Sequence, residues 1–137
     1  RCGFLLASPE IIQVLQKVSA PYPIPGPVVD IASQALSKKG LEFMMRGVET
    51  LTKDRDKLSD ILKDFSFVRR LYPGSANFIL FQVEDADGVM RFLMERGVII
   101  RNQSKQIGLD NTLRVSVGTE VEIDKFYQTM KAYEASL

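Results

Sequence analysis

Two arginines in the C-terminal third of the chain lie in sequences typical of β-strands. In a strand with apolar neighbours, a guanidinium group needs an anionic partner. Arg101 follows the β-branched pair Ile99 and Ile100, and Arg114 lies within the alternating run LRVSV. Burying a cation without an anion is costly, and arginine binds carboxylates and phosphates through a bidentate fork. Taken alone, each is more often simply a charged residue on an exposed sheet face. On neighbouring strands, the pair would suit a small molecule with two anionic groups.

The composition excludes several other kinds of chemistry. Histidine is absent, which removes histidine-based triads and most catalytic metal sites, and we predict no metal site. The single cysteine, Cys2, excludes an internal disulfide and predicts a reducing compartment, the cytoplasm. A net charge of +1 gives no electrostatic case for binding nucleic acid or an anionic membrane. No apolar run approaches the ~18–20 residues that a membrane span requires.

The N-terminal part of the sequence predicts one strand, two helices and a proline-rich loop. The apolar run 3–7 is typical of a strand that is buried on both faces. Ser8 and Pro9 predict the start of a helix, as its N-cap and its first residue. Four prolines within residues 19–27 exclude regular structure there, and a second helix is predicted from Pro27.

The rest of the chain alternates between helical and strand periodicity. After a long amphipathic helix we predict two strands, a helix, two more strands and a last helix. That last helix begins at a capping box at Thr119, and its core face extends to Leu137. The fold class is therefore α+β, a mixed and mainly antiparallel sheet with helices packed on one face. The predicted ranges are 41–65 for the long helix, 87–96 for the short one, and 77–83, 98–101 and 112–117 for strands, with a further short strand from Phe67.

Several motifs are similar, in order and spacing, to those of one known family. The stretches RCGF, SPEII, APYPIPGPVVDIA, SANFILFQ, GVIIR and LRVSVGTEVE resemble the C-terminal part of histidinol-phosphate aminotransferases. These are pyridoxal 5'-phosphate enzymes of fold type I. The resemblance implies that residues 1–35 are the tail of the large cofactor-binding domain and residues 36–137 the small C-terminal domain. It also implies transamination between the pair histidinol phosphate and imidazole acetol phosphate and the pair glutamate and 2-oxoglutarate, in histidine biosynthesis, by a cytoplasmic homodimer.

The same resemblance implies roles for individual residues. Arg1 would contact the phosphate of pyridoxal phosphate. Arg114 would bind the α-carboxylate of the substrate, and Arg101 would bind the substrate phosphate or the side-chain carboxylate of glutamate. Tyr22, in a loop near the active site and the dimer interface, and Asn77, in a strand near the substrate, are the other expected substrate-binding residues.

Three further expectations follow from the resemblance. The Schiff-base lysine of the family would lie before residue 1, so we predict no catalytic residue within this chain and no activity of the 137-residue chain alone. Segment 3–7 is expected to lack its sheet neighbours, and to be frayed or paired with a second copy. Two alternatives stay open. One is a sibling of the same fold, such as an aromatic aminotransferase or a threonine-phosphate decarboxylase, and the other is a non-catalytic α+β module that binds anions through Arg101 and Arg114.

Overall fold

The structure is a computed structural model that describes residues 3–137. Within these residues, helices come first and a sheet with further helices follows, which confirms the α+β fold class. Apart from the corrections given below, the predicted elements lie close to the observed ones. In chain order, the elements are α1 (Pro9–Val18), α2 (Gly26–Ala35), α3 (Lys38–Lys63), β1 (Val68–Tyr72), β2 (Phe78–Val83), α4 (Ala86–Glu95), β3 (Arg101–Asn102), β4 (Thr112–Ser116) and α5 (Glu120–Glu134).

The chain divides into two compact units, and the division falls inside α3. The first unit extends to Gly47, and the second is Val48–Leu137. The predicted division into residues 1–35 and 36–137 concerns the domains implied by the family resemblance, and it stays a prediction.

The first unit contains α1, α2 and the beginning of α3. Helix α1 begins at Pro9 directly after Ser8, as predicted, because proline fits the first helical position and needs no hydrogen bond there. The predicted strand over residues 3–7 is wrong. The segment has no regular structure, and the side chain of Leu6 is 99% exposed. A strand needs a neighbour to pair its N–H and C=O groups, and residues 3–47 contain no strand.

The second unit contains a four-stranded sheet in the order β1-β2-β4-β3, and all neighbouring strands are antiparallel. In the central pair, Leu80 lies opposite Arg114 and Phe81 opposite Leu113. Strand β3 is shorter than predicted, because residues 98–100 do not pair with β4. Instead, the N–H of Val98 donates to the carbonyl of Leu93 at the end of α4, 2.9 Å away, which draws this segment toward the helix.

The core lies between one face of the sheet and the helices. Alternate residues of β2 are buried, as the strand period requires, and Leu113 and Val115 of β4 are buried on the same face. On the opposite face Thr112 is also buried, and the other residues of the two strands are half-buried or exposed. Leu137 does not extend the core face of α5, contrary to the prediction from the sequence. It is 73% exposed, because the helix ends at Glu134. The buried side chains of the core are Leu58, Leu62, Phe65, Phe67, Ile79, Phe81, Val83, Ala86, Val89, Leu93, Ile100, Leu113, Val115, Ile123, Phe126 and Met130.

Candidate anion-binding site

Arg101 and Arg114 lie directly opposite each other in the sheet. They are partners in the antiparallel ladder between the edge strand β3 and β4. Directly opposite residues of an antiparallel pair point to the same face, with Cβ atoms ~4.5–5.5 Å apart. On β4 the alternation buries Leu113 and Val115 against the helices and leaves Arg114 half-buried on the other face. Both arginine side chains therefore project from one face, at the edge of the sheet.

A cleft of about 450 Å³ lies where the chain before β3 diverges from β4. It is lined by residues 97–101, by residues 114–118, and by the apolar side chains of Leu58, Ile123 and Phe126 from α3 and α5. Small-molecule sites in proteins usually occupy ~300–1,000 Å³ and combine apolar surface with a few polar groups. This cleft has the size and composition of such a site.

The charged groups that line the cleft differ in how they are paired. The Glu122 carboxylate accepts hydrogen bonds from the N–H and the hydroxyl of Thr119, at 2.7 and 2.8 Å, and these bonds hold the pKa of Glu122 below its ordinary value. The Lys125 Nζ donates to the carbonyl of Gly97, 3.2 Å away. Arg101 and Arg114, by contrast, form no salt bridge with any carboxylate of residues 3–137. Because three of the four charged residues that line the cleft are cationic, its net charge is positive.

Like charges that face each other without an acid between them destabilise a sheet. We expect Arg101→Gln to raise the free energy of unfolding of the ligand-free chain by up to about 1 kcal/mol at low ionic strength. The gain should shrink at ~1 M salt, where the screening length falls to about 3 Å. Urea unfolding at two salt concentrations measures both effects. The control is Arg91→Gln, which removes the same charge from the exposed face of α4. If Arg101→Gln raises the free energy of unfolding no more than Arg91→Gln does, the two arginines do not repel each other as an unpaired cation pair.

Asn77 is the other predicted site residue that belongs to the second unit. Asn77 immediately precedes β2 and is exposed, and its backbone carbonyl accepts a hydrogen bond from the N–H of Val117 at 2.9 Å. It does not line the cleft. Tyr22 belongs to the first unit, and its side chain is 93% exposed. Arg1 lies outside the described residues. The roles of these residues stay predictions.

Phe78 is a neighbour of Arg114 that the sequence analysis missed. The Cζ atom of Arg114 lies 5.1 Å from the centroid of the Phe78 ring. Phe78 pairs with Ser116 in the ladder between β2 and β4, two residues along from Arg114 and on the same face. The alternation within β2 predicts that Phe78 lies on the open face. Its contact with Arg114 depends on the register between the two strands, and no pattern within either strand gives that register.

Pyridoxal phosphate is the cofactor that the resemblance implies, and enzymes that use it hold it through a lysine. Lys125 is the lysine among the residues that line the cleft, and its Nζ donates to the carbonyl of Gly97. Among residues 3–137, no helix combines the length and the apolar character needed to cross a lipid bilayer. Residues 3–137 also contain no group of three or more histidine, cysteine, aspartate or glutamate side chains that could hold a metal ion.

Known proteins are similar to this chain along nearly its whole length. The profile of the family described as aminotransferase class I and II matches residues 1–130. Histidinol-phosphate aminotransferase 2 of Idiomarina loihiensis is 44% identical over 133 residues, and the match covers 97% of this chain but 37% of that protein. The chain therefore spans little more than a third of the length of this relative.

Solved structures share the fold at lower identity. The histidinol-phosphate aminotransferase from Clostridium acetobutylicum superimposes with a TM-score of 0.85 at 23% identity, over 93% of this chain and 39% of that one. L-threonine-O-3-phosphate decarboxylase from Porphyromonas gingivalis superimposes with a TM-score of 0.76 at 16% identity, over 93% of this chain and 40% of that one. The fold is therefore common to proteins named for different reactions.

Proposed function

Because the chain belongs to the aminotransferase class I and II family, we propose that it supplies the substrate-anion-binding part of a histidinol-phosphate aminotransferase. The proposed reaction transfers an amino group reversibly from histidinol phosphate to 2-oxoglutarate, giving imidazole acetol phosphate and glutamate, in a homodimeric enzyme of histidine biosynthesis. Enzymes of this family generally depend on pyridoxal phosphate. The observation that carries the proposal is the pairing of Arg101 with Arg114, since it leaves two free cations side by side on one sheet face.

The chemistry of the two substrates matches a pair of arginines. A phosphate ester carries a charge of about −1.5 to −2 at neutral pH, and glutamate carries two carboxylates. Two guanidinium groups on opposite residues can converge on one phosphate or each bind one carboxylate. In the proposed assignment Arg114 binds the α-carboxylate, and Arg101 binds the phosphate or the side-chain carboxylate. One site can then accept both substrates of the reaction.

In this proposal the arginines bind and orient the substrate. Fixing the anionic end of the substrate restricts where the amine-bearing carbon can lie, and such positioning is a large part of enzymatic rate enhancement.

A chimeric enzyme tests the proposed function, since this chain spans 37% of the length of the 44%-identical relative. In the chimera this chain replaces the matching residues of that relative. We expect it to transaminate histidinol phosphate with 2-oxoglutarate, with kcat/KM within about tenfold of that of the relative. A tenfold decrease corresponds to an increase of ~1.4 kcal/mol in the activation free energy. The same chimera carrying both Arg101→Gln and Arg114→Gln is the matched control, and it should be folded and nearly inactive.

Two results would contradict the proposal. One is a chimera that folds, as judged by circular dichroism and gel filtration, but does not act on histidinol phosphate. The other is a chimera that releases carbon dioxide from threonine phosphate, which would assign the chain to the sibling decarboxylases of the same fold.

A further inference from the structure

We propose that Phe78 is a positioning residue for Arg114, and that its ring holds the guanidinium in place without neutralising the charge. The inference rests on the proposed function, in which Arg114 binds an anion. It assigns the orientation of that arginine to an aromatic side chain of the neighbouring strand, which does not itself contact the substrate.

The geometry places the ring where it can act in this way. Phe78 and Arg114 lie on adjacent strands and on the same sheet face, and 5.1 Å separates the Arg114 Cζ from the ring centroid. A cation within about 6 Å of a ring centroid is attracted by the electron density of the ring face. Phe78 is itself half-buried and β-paired, so its ring is a firmer support than a mobile surface side chain.

A ring has an advantage over a carboxylate as the support for a ligand-binding arginine. A carboxylate would occupy N–H donors of the guanidinium, and an incoming anion would have to displace it. An aromatic ring interacts with the face of the guanidinium and leaves the donors at its edge free. Arg114 forms no salt bridge within residues 3–137, in agreement with this arrangement.

The same sheet face contains a matched control. On β1, the Cζ of Arg70 lies 4.7 Å from the centroid of the Tyr72 ring. Tyr72 lies opposite Leu80, so it is separated from Arg114 by one strand. Tyr72→Leu removes an aromatic ring from the same face, but that ring supports a different arginine.

The test follows the arginine Nε–Hε signals of the 137-residue chain by NMR, with succinate as the dicarboxylate probe. We expect succinate to shift the signals of Arg101 and Arg114. Phe78→Leu should weaken succinate binding by about two- to fivefold and move the free Arg114 signal toward that of an unstructured arginine. Phe78→Tyr keeps the ring and should retain both properties, and Tyr72→Leu should leave the Arg114 signal unchanged.

The possible outcomes separate this inference from the proposed function. If Phe78→Leu keeps the sheet and binds succinate as the wild type does, with the Arg114 signal unmoved, the positioning role is overturned and the proposed function stands. If succinate shifts neither arginine signal in the wild type, this inference is overturned, whereas the proposed function is decided by the activity of the chimera. If leucine disturbs the sheet, Phe78→Met makes the same comparison with a longer side chain that also lacks a ring.

Discussion

Replacing Arg114 by glutamine in the chimera is expected to lower kcat/KM for glutamate by about 10- to 100-fold. A hydrogen bond to a charged group contributes ~1.5–3 kcal/mol, and each ~1.4 kcal/mol corresponds to a factor of ten. Glutamine keeps part of the aliphatic side chain and can still donate hydrogen bonds through its amide, but it has neither the charge nor the fork of arginine. Steady-state kinetics with glutamate as the varied substrate measures the loss.

The kinetic constants show in which state Arg114 contributes most. If the arginine binds the ground state and the transition state equally, KM rises and kcat is unchanged, and we expect most of the effect there. Arg114→Lys keeps the charge without the planar fork, so its kcat/KM should lie between those of the wild type and Arg114→Gln.

The control for this prediction is a second arginine on the same sheet face. Arg70 lies on β1 beside Tyr72, and it does not line the cleft. Arg70→Gln should change kcat/KM for glutamate by less than about twofold, because exposed charges at a distance from the ligand are screened. Equal losses for Arg70→Gln and Arg114→Gln would mean that general surface charge, and not the arginine pair, attracts the substrate.

The faces of the central strands were predictable from the sequence, but their register was not. Alternation in LRVSV correctly separates Leu113 and Val115 from Arg114. That Arg101 lies opposite Arg114 depends on the loop between β3 and β4, in which Gly108 and Asn111 adopt positive φ angles of 76° and 49°. Such backbone conformations set how many residues separate the paired positions, and hydrophobic pattern does not encode them.

The predicted strand over residues 3–7, which the structure lacks, shows a second limit of prediction from hydrophobic pattern. An apolar run such as 3–7 indicates that a segment prefers burial, but not which partner buries it. Strands β1 and β2, by contrast, are close in sequence and joined by a short turn, so each strand supplies hydrogen-bond partners for the other. Expectations for Arg1, Tyr22 and Asn77 came from the family resemblance alone, because no spacing rule selects single residues in loops.

Replacing Phe81 by alanine is expected to lower the free energy of unfolding of the second unit by ~3–5 kcal/mol. The Phe81 side chain is fully buried and lies opposite Leu113, the residue adjacent to Arg114 on β4. Its loss removes apolar contacts from the centre of the sheet and leaves a cavity. Domain stabilities are usually ~5–15 kcal/mol, so this one substitution removes a large part of the total.

Urea unfolding followed by tyrosine fluorescence measures this loss, because Tyr72, Tyr127 and Tyr133 all lie in the second unit. The matched control is Leu80→Ala on the next residue of the same strand, which points to the half-covered face. We expect it to cost less than about half as much, because part of the leucine is already in contact with water. Equal costs at the two positions would mean that both sheet faces are equally buried in solution. In that case another surface would cover the face on which the arginine pair lies, and the pair would not be free to bind a small anion.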